Sequence, residues 1–190
     1  MKFALPIAFV CLISLAASTP AQKDQVPKTP SEGIGATIGF AQKGFLSVAE
    51  AMPEDKYGYI PTGGNFEGVR SFGEQVKHVA CVQVAFFNQI EGKTPPDACE
   101  RGGPSTAKTK AELIKYLQDS FDYGNKVLAT INAQNENDRV EGRYAGPDTK
   151  LGMASIALWH ITDHYGQLVV YLRLNGIVPP PTQRHPLKVR

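Results

Sequence analysis

His160 and His164 stand one helical turn apart in the run ALWHITDHYGQLVVYLRLNGIVPP, which begins at Ala157 and is otherwise built largely from apolar and aromatic residues. Imidazoles at i and i+4 lean along one helix face, so both can offer a nitrogen lone pair to a single metal ion. A buried imidazole without a metal must instead be hydrogen-bonded, and the pair alone fits either use. His78, in VRSFGEQVKHVACVQVAFFNQIEG, is a third histidine on an apolar helix face. The fourth, His185, lies in a proline-rich tail and reads as solvated. Three imidazoles drawn from two helices would make a three-nitrogen site with an open position for water or substrate, as in catalytic zinc centres. Within HITDH, Ile161 stands where metalloproteases of this spacing carry the water-activating glutamate, which argues against that activity. No Cys-x-x-Cys-His haem attachment occurs. A b-type haem ligated by Met52 or Met153 would leave the clustering of three histidines unexplained.

Helices must carry these residues. Ile34, Ile38, Ala41, Phe45, Val48 and Met52 recur at three- and four-residue spacing from near Ser31 until Pro53 stops the run. A second helix opens on SFGE, where Ser71 can cap the start and Glu74 reach back to it. Its inner face includes His78, Val82, Ala85, Phe86 and Gln89, and Gly92 with Pro95-Pro96 ends it. TKAE from Thr109 is another capping pattern, and Leu113, Leu117, Phe121, Val127, Leu128 and Ile131 make a third helix, with Gly124 a weakness inside it. The fourth runs from about Met153 to Asn175, closed by Gly176 and Pro179 to Pro181. A step of about 100° per residue puts Met153, Ala157, His160, His164, Gln167 and Tyr171 on one stripe facing the interior. Long turn-rich loops separate the helices, and strand-like alternation is scarce. These features predict an all-α four-helix bundle.

At 190 residues the chain suits one domain. Residues 1–21 run from a positive charge through an apolar stretch to small residues, the order of a secretory signal peptide cleaved after Ser18 or Ala21. That stretch is shorter than the roughly 20 residues a membrane span needs, so no integral membrane segment is expected once it is removed. The chain is then divided into a linker over 22–30, the bundle over 31–178 and the tail over 179–190, and its expected location is periplasmic or secreted. A net charge of +2, with basic residues scattered, does not advertise nucleic acid as a partner. Cys11 would leave with the signal; Cys81 and Cys99 could then pair in an oxidising compartment, or Cys81 could stay free near the histidines, even as a fourth ligand.

If a metal is bound, each imidazole should donate its other N–H to a supporting group. Glu74 and Gln167, one turn from His78 and His164, are the candidates, with the capping role competing for Glu74. Asp163 lies off the histidine stripe and suits a solvated or supporting position better than ligation. Tyr57, Tyr59, Trp159 and Tyr165 read as packing.

Three stretches, in order, resemble the DinB/YfiT-like four-helix-bundle metalloproteins: AEAMPEDKYGYIPT, VRSFGEQVKHVA and HITDHYGQLVVYLRLNGIVPP. The resemblance implies His78, His160 and His164 as ligands of a divalent ion, zinc, nickel or iron according to the member, in a bundle often found as a homodimer. It also implies that Arg173 lies near the site, where a guanidinium could grip a substrate carboxylate. Some relatives use a low-molecular-weight thiol, which is scarce outside the cytosol. The expected function is therefore a metal-dependent enzyme of transferase or hydrolase type acting on a small-molecule substrate. The alternatives are a non-catalytic metal-binding bundle and a metal-free binding or structural one.

Overall fold

The computed structural model describes residues 26–142, 146 and 148–180. The expected signal segment over 1–21, residues 22–25 of the expected linker, and residues 181–190 with His185 lie outside them. Four helices dominate: α1 (Pro30–Ala51), α2 (Phe72–Ile90), α3 (Lys110–Leu128) and α4 (Lys150–Leu174).

Each start is chemically marked. Thr29 accepts from the Glu32 amide at the head of α1, with Pro30 in the first turn where its missing N–H costs nothing. Ser71 with Glu74, and Thr109 with Glu112, form complete capping boxes on α2 and α3. Thr149 accepts from Gly152 N, so α4 begins one turn before Met153. Its other end closes at Gly176, φ 73°, where the amides of Gly176 and Ile177 return to the carbonyls of Arg173 and Leu172 at 2.9 Å each. The third helix stops at Leu128, short of the predicted Ile131. There the Thr130 and Ile131 amides turn back to the Val127 and Leu128 carbonyls, and the Thr130 hydroxyl also donates to Val127 O. Ile131 is buried all the same. In the loop that follows, Arg139–Val140 pairs antiparallel with Asp148–Thr149, a short ladder that periodicity does not announce.

Helices α1 and α2 each pack on both α3 and α4, closing the bundle around one apolar interior. Phe45, Phe72, Leu117, Ile161, Leu168 and Leu172 are fully buried there. A further cluster, with Cys81, Val82, Phe86, Phe87, Met153 and Ala157, fills the end toward α2 and the start of α4. The histidines lie where α2 and α4 face each other.

Gly124 is no weakness in this setting. A Cβ there would meet the Phe87 ring at 2.5 Å, so the glycine is the slot that lets α2 and α3 close. Gly124→Ala gains up to about 1 kcal/mol of helix propensity, whereas overpacking a filled core costs about 1–3 kcal/mol. A net loss of stability is the expected result in urea titration, with unchanged helicity by circular dichroism.

Candidate metal centre

His78 from α2 and His160 and His164 from α4 are all buried, with 4, 8 and 7% of their surfaces exposed. Their donor nitrogens lie within 4.8 Å of one another, and the ring centroids are 4.6–5.1 Å apart. His78 Nε2 and His160 Nε2 are separated by 3.1 Å. Two nitrogens on a tetrahedral zinc ion at about 2.0–2.1 Å stand roughly 3.3 Å apart, so this spacing suits shared ligation as well as a direct hydrogen bond.

The surroundings decide which nitrogen of each ring is free. His78 Nδ1 lies 2.8 Å from the Cys99 carbonyl oxygen, which can only accept, so Nδ1 carries the proton and the Nε2 lone pair faces the cluster. For His164 the logic runs through an amide. The Asp163 carboxylate takes Gln167 Nε2–H at 3.0 Å, which turns Gln167 Oε1 toward Gln75 Nε2 at 2.7 Å and His164 Nδ1 at 3.2 Å. An acceptor opposite Nδ1 requires an Nδ1–H there too, freeing Nε2. His160 Nδ1 is buried without a partner among the described residues, and the Phe86 ring stands edge-on to the imidazole. The donor set therefore fits a divalent ion: neutral imidazoles converge, and two have their tautomers fixed for ligation.

The family model of the DinB superfamily matches residues 38–168, from inside α1 to inside α4, a span that includes all three histidines. The chain belongs to the DinB superfamily. Solved DinB-like proteins share the fold. That from Bacillus cereus superposes with a TM-score of 0.64 at 12% identity, over 78% of this chain and 95% of its own. The Bacillus subtilis protein YjoA gives 0.59 at 21% identity, over 76% of this chain and 92% of its own. No curated protein matches the sequence.

In this DinB chain all three imidazoles are held neutral. Burial pushes His160 down to about 2, reinforced by His164 and His78. Burial, with His78 beside it, takes His164 down to about 4 against the opposing pull of Gln167 and Asp163. His78 is lowered mainly by burial, against the opposing Cys99 hydrogen bond. The positive charge of Arg70 adds to the lowering at each of the three.

Arg70 is a guanidinium whose charge reaches all three imidazoles. Its Nε and Nη2 donate to the Glu100 carbonyl at 3.1 and 3.0 Å, and Nη2 also reaches the Glu100 carboxylate at 2.6 Å. The Tyr171 hydroxyl donates to the Arg70 carbonyl at 2.9 Å, tying the residue to α4. Arg173 is exposed in the last turn of α4, beside Gly176 and Ile177. Nine residues past His164, it is half a turn away around the helix.

Glu74 is taken up by the capping box of α2. Its carboxylate accepts from the Ser71 amide at 2.7 Å, and that contact holds its pKa down. Glu74→Ala is accordingly expected to cost roughly 0.3–1.5 kcal/mol in unfolding experiments while leaving zinc affinity where it was. Cys81 is bonded to Cys99, which removes it as a fourth ligand. Asp163 supports Gln167 and does not join the cluster. Gln75 was open to discovery as a polar residue three positions before His78 on the same buried face. Arg70 and the Cys99 carbonyl carry no such sequence mark, because loops bring them in.

Proposed function

We propose that this chain is an exported, divalent-metal-dependent enzyme of transferase or hydrolase type acting on an anionic small molecule. The observation that carries the reading is the convergence of three buried neutral imidazoles, two of them with the lone pair aimed inward by a fixed partner. A bound zinc, nickel or iron ion would act as a Lewis acid, bringing the pKa of water or a substrate atom toward neutrality. His78, His160 and His164 would hold it. Gln167, set by Asp163 and Gln75, keeps the His164 ring from turning. Arg70 can meet a substrate carboxylate with the Nη2–H now on the Glu100 carboxylate while its Nε–H stays on the Glu100 carbonyl, because an ion pair whose acid is 71% exposed is worth at most about 1 kcal/mol and yields readily.

The order of charge, apolar stretch and small residues in 1–21 supports export. Exposed apolar side chains on the adjoining helices α1 and α4, Phe40, Trp159 and Val170, support a homodimer. Among the described residues no helix is long and apolar enough to cross a membrane.

Metal analysis of protein purified without an affinity tag tests the reading, with His78→Ala and His160→Ala beside the wild type. Metal is expected in the wild type and absent from both variants. Turnover on a panel of thiol and hydrolytic substrates, lost on chelation and restored by the ion, is expected next. Metal without turnover would leave a binding bundle; no metal would leave hydrogen-bonded structural histidines.

A further inference from the structure

The carbonyl that sets the His78 tautomer belongs to an unusual turn. Ala98 lies at φ 57°, the one non-glycine residue with positive φ among those described, and Gly102 and Gly103 follow at 83° and 69°. Between them Cys99–Arg101 forms a single 3-10 turn, closed by bonds from Arg101 N and Gly103 N to Ala98 O and from Gly102 N to Cys99 O, each 2.9 Å. A left-handed alanine costs about 1–2 kcal/mol and persists only where its surroundings over-determine it. Here the surroundings are covalent. Cys99 is joined to Cys81, one turn beyond His78 on α2, and both are buried. A Cβ on Gly103 would strike the Cys81 sulfur, so the backbone approaches the bridge too closely for any other residue.

Two successive carbonyls of this turn face the site. Cys99 O takes the Nδ1–H of His78, and Glu100 O takes the guanidinium of Arg70. We propose that the turn Ala98 to Gly103, pinned to α2 by the Cys81–Cys99 bridge, is the positioning element of the site, fixing the His78 tautomer and anchoring Arg70. Cys81 and Cys99 are then positioning residues that act through His78. The consequence for metal rests on the function proposed above; the consequence for the tautomer does not. A free turn would relax at Ala98, withdraw its carbonyl, and leave His78 to protonate on either nitrogen, with Nε2 blocked part of the time.

The test uses the full chain, first metal-free and then titrated with zinc. Long-range 1H–15N spectra of the wild type are expected to show His78 as a single Nδ1–H tautomer. C81A/C99A is expected to show mixed tautomers and about 10–100-fold weaker zinc binding, the usual loss when a ligand's supporting hydrogen bond goes. Adding A98G removes the left-handed penalty, so the unbridged turn can keep its shape and most of both losses should return. A bridge that only braces the fold would lower Tm and leave tautomer and zinc affinity unchanged, which overturns the proposal. Should the double variant not fold, the native spectrum still decides, since an Nε2–H His78 in the wild type overturns it as well. If the wild type takes no zinc while the tautomers behave as expected, the metal reading falls and the positioning of His78 stands.

Discussion

Replacing His160 with alanine is expected to weaken zinc binding by roughly 100- to 1,000-fold. Apparent binding energies of about 10–16 kcal/mol for four-ligand structural zinc place one ligand near 3–4 kcal/mol, and each 1.4 kcal/mol is about a factor of ten. His160 offers a clean test among the three because its Nδ1 has no partner among the described residues, so the substitution breaks no hydrogen bond at that nitrogen. The substitution also takes away the Nε2 that stands 3.1 Å from His78. Competition titration against a chromophoric chelator measures the change. An affinity within threefold of the wild type would show that the 3.1 Å approach is only a structural hydrogen bond.

Zinc affinity should fall far less steeply between pH 7 and pH 5 than three ordinary imidazoles would dictate. Three imidazoles at their ordinary pKa of about 6.5 would together lose up to roughly 1,000-fold per pH unit below it, as protons compete for the lone pairs. Here burial has lowered all three, His164 to about 4 and His160 to about 2, so proton competition across that range is much reduced. The cost appears in the metal-free fold. Each folded pKa lies below the unfolded one, so below about pH 6.5 the unfolded chain binds more protons than the folded chain and stability falls with falling pH. The loss begins near 6.5 and continues toward the folded value of about 4 for His164; above 6.5 these residues leave stability level. Carboxylates with lowered pKa such as Glu74 act in a lower window, below their usual range near 4.5. Urea melts of the metal-free chain across pH 4–8, beside zinc titrations at the same pH values, check both halves. A zinc affinity that drops steeply from pH 6.5 would mean that the imidazoles are solvated.

The contrast between Glu74 and Gln167 shows how far pattern reading reaches into the site. Both stand one turn from a histidine. Glu74 answers to a capping geometry complete within four residues, and that local bond wins. Gln167 has no such local demand, so its orientation is set by Asp163 on one side and by Gln75, 92 residues away, on the other. Gly124 makes the same point for packing. Propensity marks it as a flaw, yet the Phe87 ring of the neighbouring helix turns it into a requirement.

The helix starts of α1 to α3, the stops of α1, α2 and α4, the buried stripes, and the placing of His160 and His164 on one of them were legible in the chain alone, because capping, proline breaks and the 3.6-residue period act over a single turn. The level at which His78 meets them across 82 residues, the pairing of Cys81 with Cys99, the tautomers of His78 and His164 and the docking of Arg70 on Glu100 were decided by the tertiary structure. Those outcomes depend on how helices and loops dock, and interactions of that range leave no period in a sequence to read.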